Sequence, residues 1–225
     1  MSKTKFVLSI AVAALLVATP AVGQLANFPI LALPAGDADG ATSIGAGWGR
    51  GLSESSGKLD AIAVGVARAM ETVSFGILGS YVIDAAGADG SSIALGGQVA
   101  YNVPLETSVD VGIQGGIEWR SDNGTVTAED VTRLNFPLGI SFAGRTQAGS
   151  LDIRPWIMPR VQFTRASSGG LSSTDTDFGT SAGVSGATEG GFGLGLSVDW
   201  AYVGEATGNN ATSQWLFGLA VFYAL

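Results

Sequence analysis

The chain has 225 residues, 46% hydrophobic and only 13% charged, with 34 glycines, no cysteine and no histidine. Nineteen acidic side chains against eleven basic ones leave a net charge of −8, which excludes the basic stripe that nucleic-acid binding requires. The missing histidine removes the commonest general base, proton shuttle and metal ligand, and without cysteine the fold has to hold without disulfides.

The chain opens MSKTKFVLSIAVAALLVATPAVGQ: basic residues at Lys3 and Lys5, an apolar run from Phe6 to Ala18, then small residues at Ala21 and Gly23. The pattern predicts a secretory signal peptide over 1–23, cleaved after Gly23. Its apolar run is shorter than the roughly 20 residues of a spanning helix. Cleavage removes two basic residues and no acidic one, so the mature charge is −10, with Lys58 the single lysine left. Residues 24–40, QLANFPILALPAGDADG, hold two prolines and no clean period. They are expected to form an N-terminal periplasmic segment. No later stretch is apolar for long enough to make a transmembrane helix.

From residue 41 the pattern changes to alternation. Ten segments read as strands, at about 41–50, 60–68, 72–83, 91–103, 107–119, 131–143, 149–164, 177–187, 191–203 and 213–225, and most meet the 9 to 11 residues of a tilted membrane strand. Long polar connections (RGLSESSGK, DAAGADG, SDNGTVTAED, RASSGGLSSTDTD, GEATGNNAT) take turns with short ones (AMET, PLE, GRTQAG, TEGG). Such an alternation predicts an all-β fold, an up-and-down antiparallel transmembrane β-barrel of ten strands over 41–225, with one rim outside the cell and the other in the periplasm. Eight strands are the alternative, if the first hairpin or the break near Thr188 is drawn differently.

In GFGLGLSVDW, residues 191–200, Phe192, Leu194, Leu196, Val198 and Trp200 share one face with Tyr202, and Gly193, Gly195, Ser197, Asp199 and Ala201 share the other. The second face is too poor in long charged side chains to serve as a soluble surface. The apolar face therefore belongs against lipid and the small and polar face in the lumen. Residues 107–119 set Val109, Val111, Ile113, Ile117 and Trp119 against Asp110, Gln114 and Glu118. Residues 131–143 set Leu134, Phe136, Leu138, Ile140 and Phe142 against Arg133, Asn135 and Ser141. Given the strand directions, Trp48, Tyr81, Trp119, Trp200, Tyr202 and Trp215 gather near the long-loop rim. Tyr101, Phe142, Phe192 and Tyr223 gather near the short-turn rim, as two membrane-interface girdles would. Pro137, Pro155 and Pro159 lie inside strands, where each removes a ladder donor. A bulge is therefore expected within RPWIMPR.

The chain ends WLFGLAVFYAL, in which Phe217, Leu219, Val221, Tyr223 and Leu225 alternate. This strand resembles the last strand of bacterial outer-membrane β-barrel proteins, which usually ends in an aromatic residue; here Leu225 takes that place. The resemblance covers the alternating region to Leu225. It implies that the final strand is recognised by the barrel-assembly machinery. The whole pattern is expected to be a monomeric barrel in the bacterial outer membrane, among outer-membrane lipids and lipopolysaccharide.

Enzymes of that architecture mostly rely on histidine with serine or aspartate, which this chain cannot supply; a Ser/Lys pair would have to use Lys58. The glycine spacings GAGWGRG and GFGLGLS precede no helix that could cradle a phosphate. GDADG and GADG lack the remaining oxygen ligands of a calcium loop. NGT and NAT read as ordinary loop residues. No catalytic residue, metal site or cofactor is expected. In the lumen, matching across the third long loop sets Glu118 level with Arg133, with Arg160 close by on the next strand; one or two strand spacings are within arginine's reach. Asp110, Asp152 and Arg154 form a second cluster nearer the short turns, and Asp199 sits in the upper half. These charges predict either a buried ion-pair network or a charged constriction in a solute path. Trp156, Met158, Leu216 and Phe222 point inward and would plug part of it. Acidic residues outnumber basic ones in the exterior loops, for solvation or for cation bridges to lipopolysaccharide. The expected function is a non-enzymatic structural or surface-interaction role through the exterior loops. The alternative is a narrow, porin-like diffusion channel for small solutes.

Overall fold

The computed structural model describes residues 42–53, 60–83, 91–105, 108–122, 131–203 and 212–225. The expectations for the signal peptide, for residues 24–40, for Lys58 and for most of the long loops lie outside them. Alternating sequence becomes extended backbone over β1 (Thr42–Gly51), β2 (Asp60–Met70), β3 (Val73–Ile83), β4 (Ser91–Val103), β5 (Val109–Asp122) and β6 (Val131–Gly144). It continues over β7 (Thr146–Ala148), β8 (Leu151–Ser168), β9 (Leu171–Thr188), β10 (Phe192–Val203) and β11 (Thr212–Ala224). Apart from β6 and β7, each strand pairs antiparallel with its sequence neighbours, β11 pairs with β1, and β6 pairs with β8, so the sheet closes. The seam runs on past the strand ends, where Leu225 N–H donates to the Thr42 carbonyl at 2.8 Å and Leu52 N–H to the Trp215 carbonyl at 2.7 Å. No sheet edge is left along the paired wall, as spanning a bilayer with strands demands.

β6 and β7 form one stave. Gly144 falls opposite Pro155, and beyond the break at Arg145 the pairing to β8 resumes in the same register, Ala143 with Trp156 above and Thr146 with Ile153 below. The result is an all-β, closed antiparallel barrel of ten strands.

The prolines interrupt hydrogen bonding without inserting a bulge. The β5–β6 ladder lapses beside Pro137 and the β6–β8 ladder beside Pro159, yet each recovers with no residue gained or lost. The β8–β9 register is unbroken from Leu151 opposite Thr188 to Ser168 opposite Leu171. The bulge expected in RPWIMPR is absent, because a missing N–H costs a ladder bond but adds no residue. Pro155 and Pro159 face outward and Pro137 inward, in step with their neighbours.

The path Ala143, Trp156, Gly183, Ser197, Gly218, Gly49, Ala61, Val82, Ser92, Asp122, Val131 follows paired residues once around the wall. It returns to β6 twelve residues nearer the long loops, which is the shear of the barrel. With ten strands, a rise of about 3.3 Å per residue and a spacing of about 4.8 Å, this shear tilts the strands by about 40°.

Two connections differ from the sequence expectation, and in the first, GRTQAG, residues Thr146–Ala148 are strand β7. The second, RASSGGLSSTDTD, is not a loop but the upper half of a β8–β9 hairpin closed by Gly169 and Gly170, at φ 55° and 81°. Positive φ at both central residues is what a type I′ turn requires, and it matches the twist of the strands it joins. β9 leaves β10 at Phe178, opposite Tyr202. The seven residues from Phe178 up to Leu171 therefore lift the hairpin roughly 18 Å along the axis beyond that point. Polar side chains disguised it, and only its β9 side lacks a further strand, since β6 pairs with β8 up to Ser167.

Candidate functional site: the barrel lumen

The outer wall is apolar along its height. Ile77 is 69% exposed, Val64 60% and Leu95 59%, and Leu194, Leu196 and Val198 face outward with Phe192 and Tyr202. A belt this continuous far exceeds the few hundred Å² of apolar patch that a soluble monomer carries. Trp48, Tyr81, Trp119, Trp200, Tyr202 and Trp215 all lie on this wall towards the long loops. Tyr101, Phe142, Phe192 and Tyr223 lie on it towards the short turns. Trp48 meets Phe217 edge-on at 6.3 Å and Trp200 meets Trp215 at 6.5 Å. Phe192 and Tyr202 stand ten residues apart on β10, which places the two bands about 25 Å apart along the axis, the height of a barrel's lipid-facing band. Phe217, Leu219, Val221, Tyr223 and Leu225 alternate outward along the last strand.

The inward face carries the charge. Arg160 of β8 grips Asp199 of β10 with two parallel hydrogen bonds, Nη1 to Oδ1 at 2.6 Å and Nη2 to Oδ2 at 2.9 Å. Ser181 of β9, between them, accepts from Arg160 Nη1 at 2.7 Å and donates to Asp199 Oδ1 at 2.5 Å. The two charged side chains are 2% and 0% exposed. Paired fork-to-fork and further hydrogen-bonded, they meet the conditions under which ions tolerate burial. They tie three adjacent strands together at mid-height.

Glu118, wholly buried, accepts from Asn135 Nδ2 at 2.7 Å. The register sets Glu118 opposite Asn135 and Arg133 opposite Arg120, so the expected alignment of Glu118 with Arg133 is corrected by two residues. The length of the third loop hides where its hairpin closes, and no pattern in the two strands reports it. Arg133 lies on the lumen-facing side of β6 but exposed near its upper end. Asp152 and Arg154 pair at 3.2 Å, and Asp110 pairs with Arg145 at 2.6 Å. Arg145 and Asp110 also lie within electrostatic reach of Arg154. Sequence reasoning missed Arg145, which had been assigned to a turn, as well as Ser181 and Asn135 as partners. The inward parity of the last two was the available signal.

Large and small residues alternate around the lumen. Trp156, Met158 and Phe222 cluster with Ala143, Ala187 and Ala220 below the ion pair, and Leu216 is buried higher up. Trp156, Arg160 and Phe222 each lie over a glycine opposite them in the next strand. A Cβ at Gly183 would come within 2.7 Å of the Trp156 ring, one at Gly179 within 2.9 Å of the Arg160 guanidinium, and one at Gly193 within 2.1 Å of the Phe222 ring. In GFGLGLS it is Gly193 that makes room for a neighbouring ring, that of Phe222. Among the described residues no helix is long and apolar enough to span a membrane, and no three His, Cys, Asp or Glu side chains converge as metal ligands.

A closed antiparallel barrel with an apolar belt outside and paired charges within defines a transmembrane β-barrel of the bacterial outer-membrane kind. Solved structures of this fold include the β domain of the Bordetella autotransporter BrkA, to which the chain is similar at 15% identity and TM-score 0.51 over 82% of this chain and 99% of that one. The structure is also matched by Neisserial surface protein A (14% identity, TM-score 0.39, 82% of this chain and 96% of that one). A further match is the Escherichia coli outer-membrane protease OmpT (9%, TM-score 0.38, 83% and 96%). No family model and no curated protein matches the chain.

Proposed function

We propose that the protein is a monomeric, non-enzymatic barrel of the bacterial outer membrane, exported by a cleaved signal peptide over 1–23 and acting at the cell surface as a structural or interaction element. In this reading residues 24–40 lie in the periplasm and the final strand, ending at Leu225, is what the assembly machinery engages. Lipid and lipopolysaccharide surround the wall, and the exterior loops with the β8–β9 hairpin are the parts presented outside. The observation that carries the reading is the lumen, crossed at mid-height by the Arg160–Asp199–Ser181 lock and filled beneath it by Trp156, Met158 and Phe222. A lumen closed in this way leaves the exterior as the working surface.

The competing reading, a narrow diffusion channel, draws on the glycine and alanine that line β1 and β2 on the lumen side. Planar-bilayer recording decides between them: the protein is expected to be silent, and reproducible conductance steps that change in Arg160→Ala would establish the channel. Exposure of the hairpin is tested independently, because the chain has no cysteine. A membrane-impermeant maleimide is expected to label Ser168→Cys in intact cells. Labelling only after lysis would remove the surface role.

A further inference from the structure

Along β8 to β10 the side chains of Arg160, Asp199 and Ser181 engage one another, while the indole N–H of Trp156 has no hydrogen-bond partner among the described residues. Along β3 to β6 several inward polar atoms likewise have none: the hydroxyls of Ser74 and Ser80, the side-chain carbonyls of Asn102 and Asn135, and both amide atoms of Gln114. Ser74, Ser80, Gln114 and Asn135 are each more than nine-tenths buried. Buried polar atoms in folded proteins find partners, and where protein supplies none, water does.

These groups are spaced up the barrel rather than gathered at one point. Asn102 and Ser74 stand near the short turns, Gln114 above them, and Ser80 and Asn135 towards the long loops. With the strand tilt given above they spread over roughly 20 Å of the axis. Beside Gln114 a void of about 10 Å³, lined also by Gly139, Met158 and Arg160, has space for the centre of one water. Below the lock Met158 of β8 presents apolar surface and Trp156 a single unpartnered N–H, so a chain of waters would be held mainly from the β3–β6 side. Weak, repeated binding of that kind allows passage. An ion on the same path would have to shed its hydration beside the Arg160–Asp199 pair, whose charges already neutralise each other.

We propose that the β3–β6 wall binds a column of water through the lumen, and that the barrel passes water while staying closed to ions. The proposal rests on the lumen's being closed to solutes, as read above, and adds an activity to it. The test is stopped-flow light scattering on phosphatidylethanolamine/phosphatidylglycerol vesicles given a sucrose jump, with conductance measured on the same preparation. Wild-type vesicles are expected to shrink severalfold faster than protein-free ones, with no ion conductance. Gln114→Leu removes both amide atoms at nearly constant volume and is expected to bring shrinkage back towards the lipid rate, heat-modifiable gel migration confirming that it is folded. If that variant does not fold, Met158→Phe, which fills the same void, is expected to do the same. Shrinkage of wild-type vesicles at the lipid rate with silent bilayers overturns the water column alone. Full water flux in both variants overturns it too. Water flux accompanied by ion conductance overturns the closed lumen as well.

Discussion

Arg160, Asp199 and Ser181 form a closed cycle of hydrogen bonds in which each side chain contacts the other two. Removing one charge of such a pair strands the other in a medium that solvates it poorly, at about 3–5 kcal/mol, whereas replacing both by apolar side chains is close to neutral. Asp199→Ala and Arg160→Met are therefore each expected to lower stability by about that amount in urea-dependent unfolding from detergent micelles. The double variant Arg160→Met, Asp199→Leu should recover most of the loss. If the losses simply add, the two residues are not the coupled unit described. The glycines opposite Arg160, Trp156 and Phe222 obey the same local logic, since an added Cβ at any of them collides with a specific neighbour.

β8 and β9, at 18 residues each, are the longest strands. The lower half of β9 belongs to the closed wall and β8 pairs with β6 as far as Ser167, while the upper half of β9 depends on β8 and on the turn that joins them. Gly169 and Gly170 both occupy the left-handed region, where a side chain costs about 1–2 kcal/mol per residue. Gly169→Ala with Gly170→Ala is expected to loosen the hairpin tip while the barrel stays folded. Thermolysin cleavage at Leu171, beside the turn and 80% exposed, should then accelerate with heat-modifiable migration retained; unchanged cleavage would mean that the tip is held by something other than its turn. The two glycines are visible in the sequence, preceded by Ser167 and Ser168 and followed by Leu171. The segment reads as a loop because Ser, Thr and Asp dominate it and strands are recognised mainly by the apolar face they bury. A hairpin that buries none gives no such period.

At the scale of the whole molecule, ten strands and a shear of twelve residues set the tilt, the width and the height of the apolar belt together. Ile77 lies within that belt at 69% exposure, and Leu171 stands above it at the hairpin tip at 80%. An arginine at the middle of a barrel's lipid face costs about 2–4 kcal/mol and one outside the bilayer costs almost nothing. Ile77→Arg is therefore expected to destabilise the folded barrel in lipid by about that amount, and Leu171→Arg to leave it unchanged. Refolding titrations in vesicles would show this. Equal effects at the two positions would mean that the belt is not where the barrel meets hydrocarbon.

The alternation itself decided the architecture. Leu194, Leu196 and Val198 point outward, and Gly193, Gly195 and Asp199 inward, because a strand's side chains change face at every residue and only one face of this barrel is compatible with its surroundings. Composition and strand direction were likewise enough to place both aromatic bands on the outer wall. The pairing of particular charges was decided only in three dimensions. Which residue of β6 stands beside Glu118 depends on where the third hairpin closes, and that Asp199 meets Arg160 across β9 depends on the shear of the closed sheet; both are relations between strands, which no periodicity within one strand records.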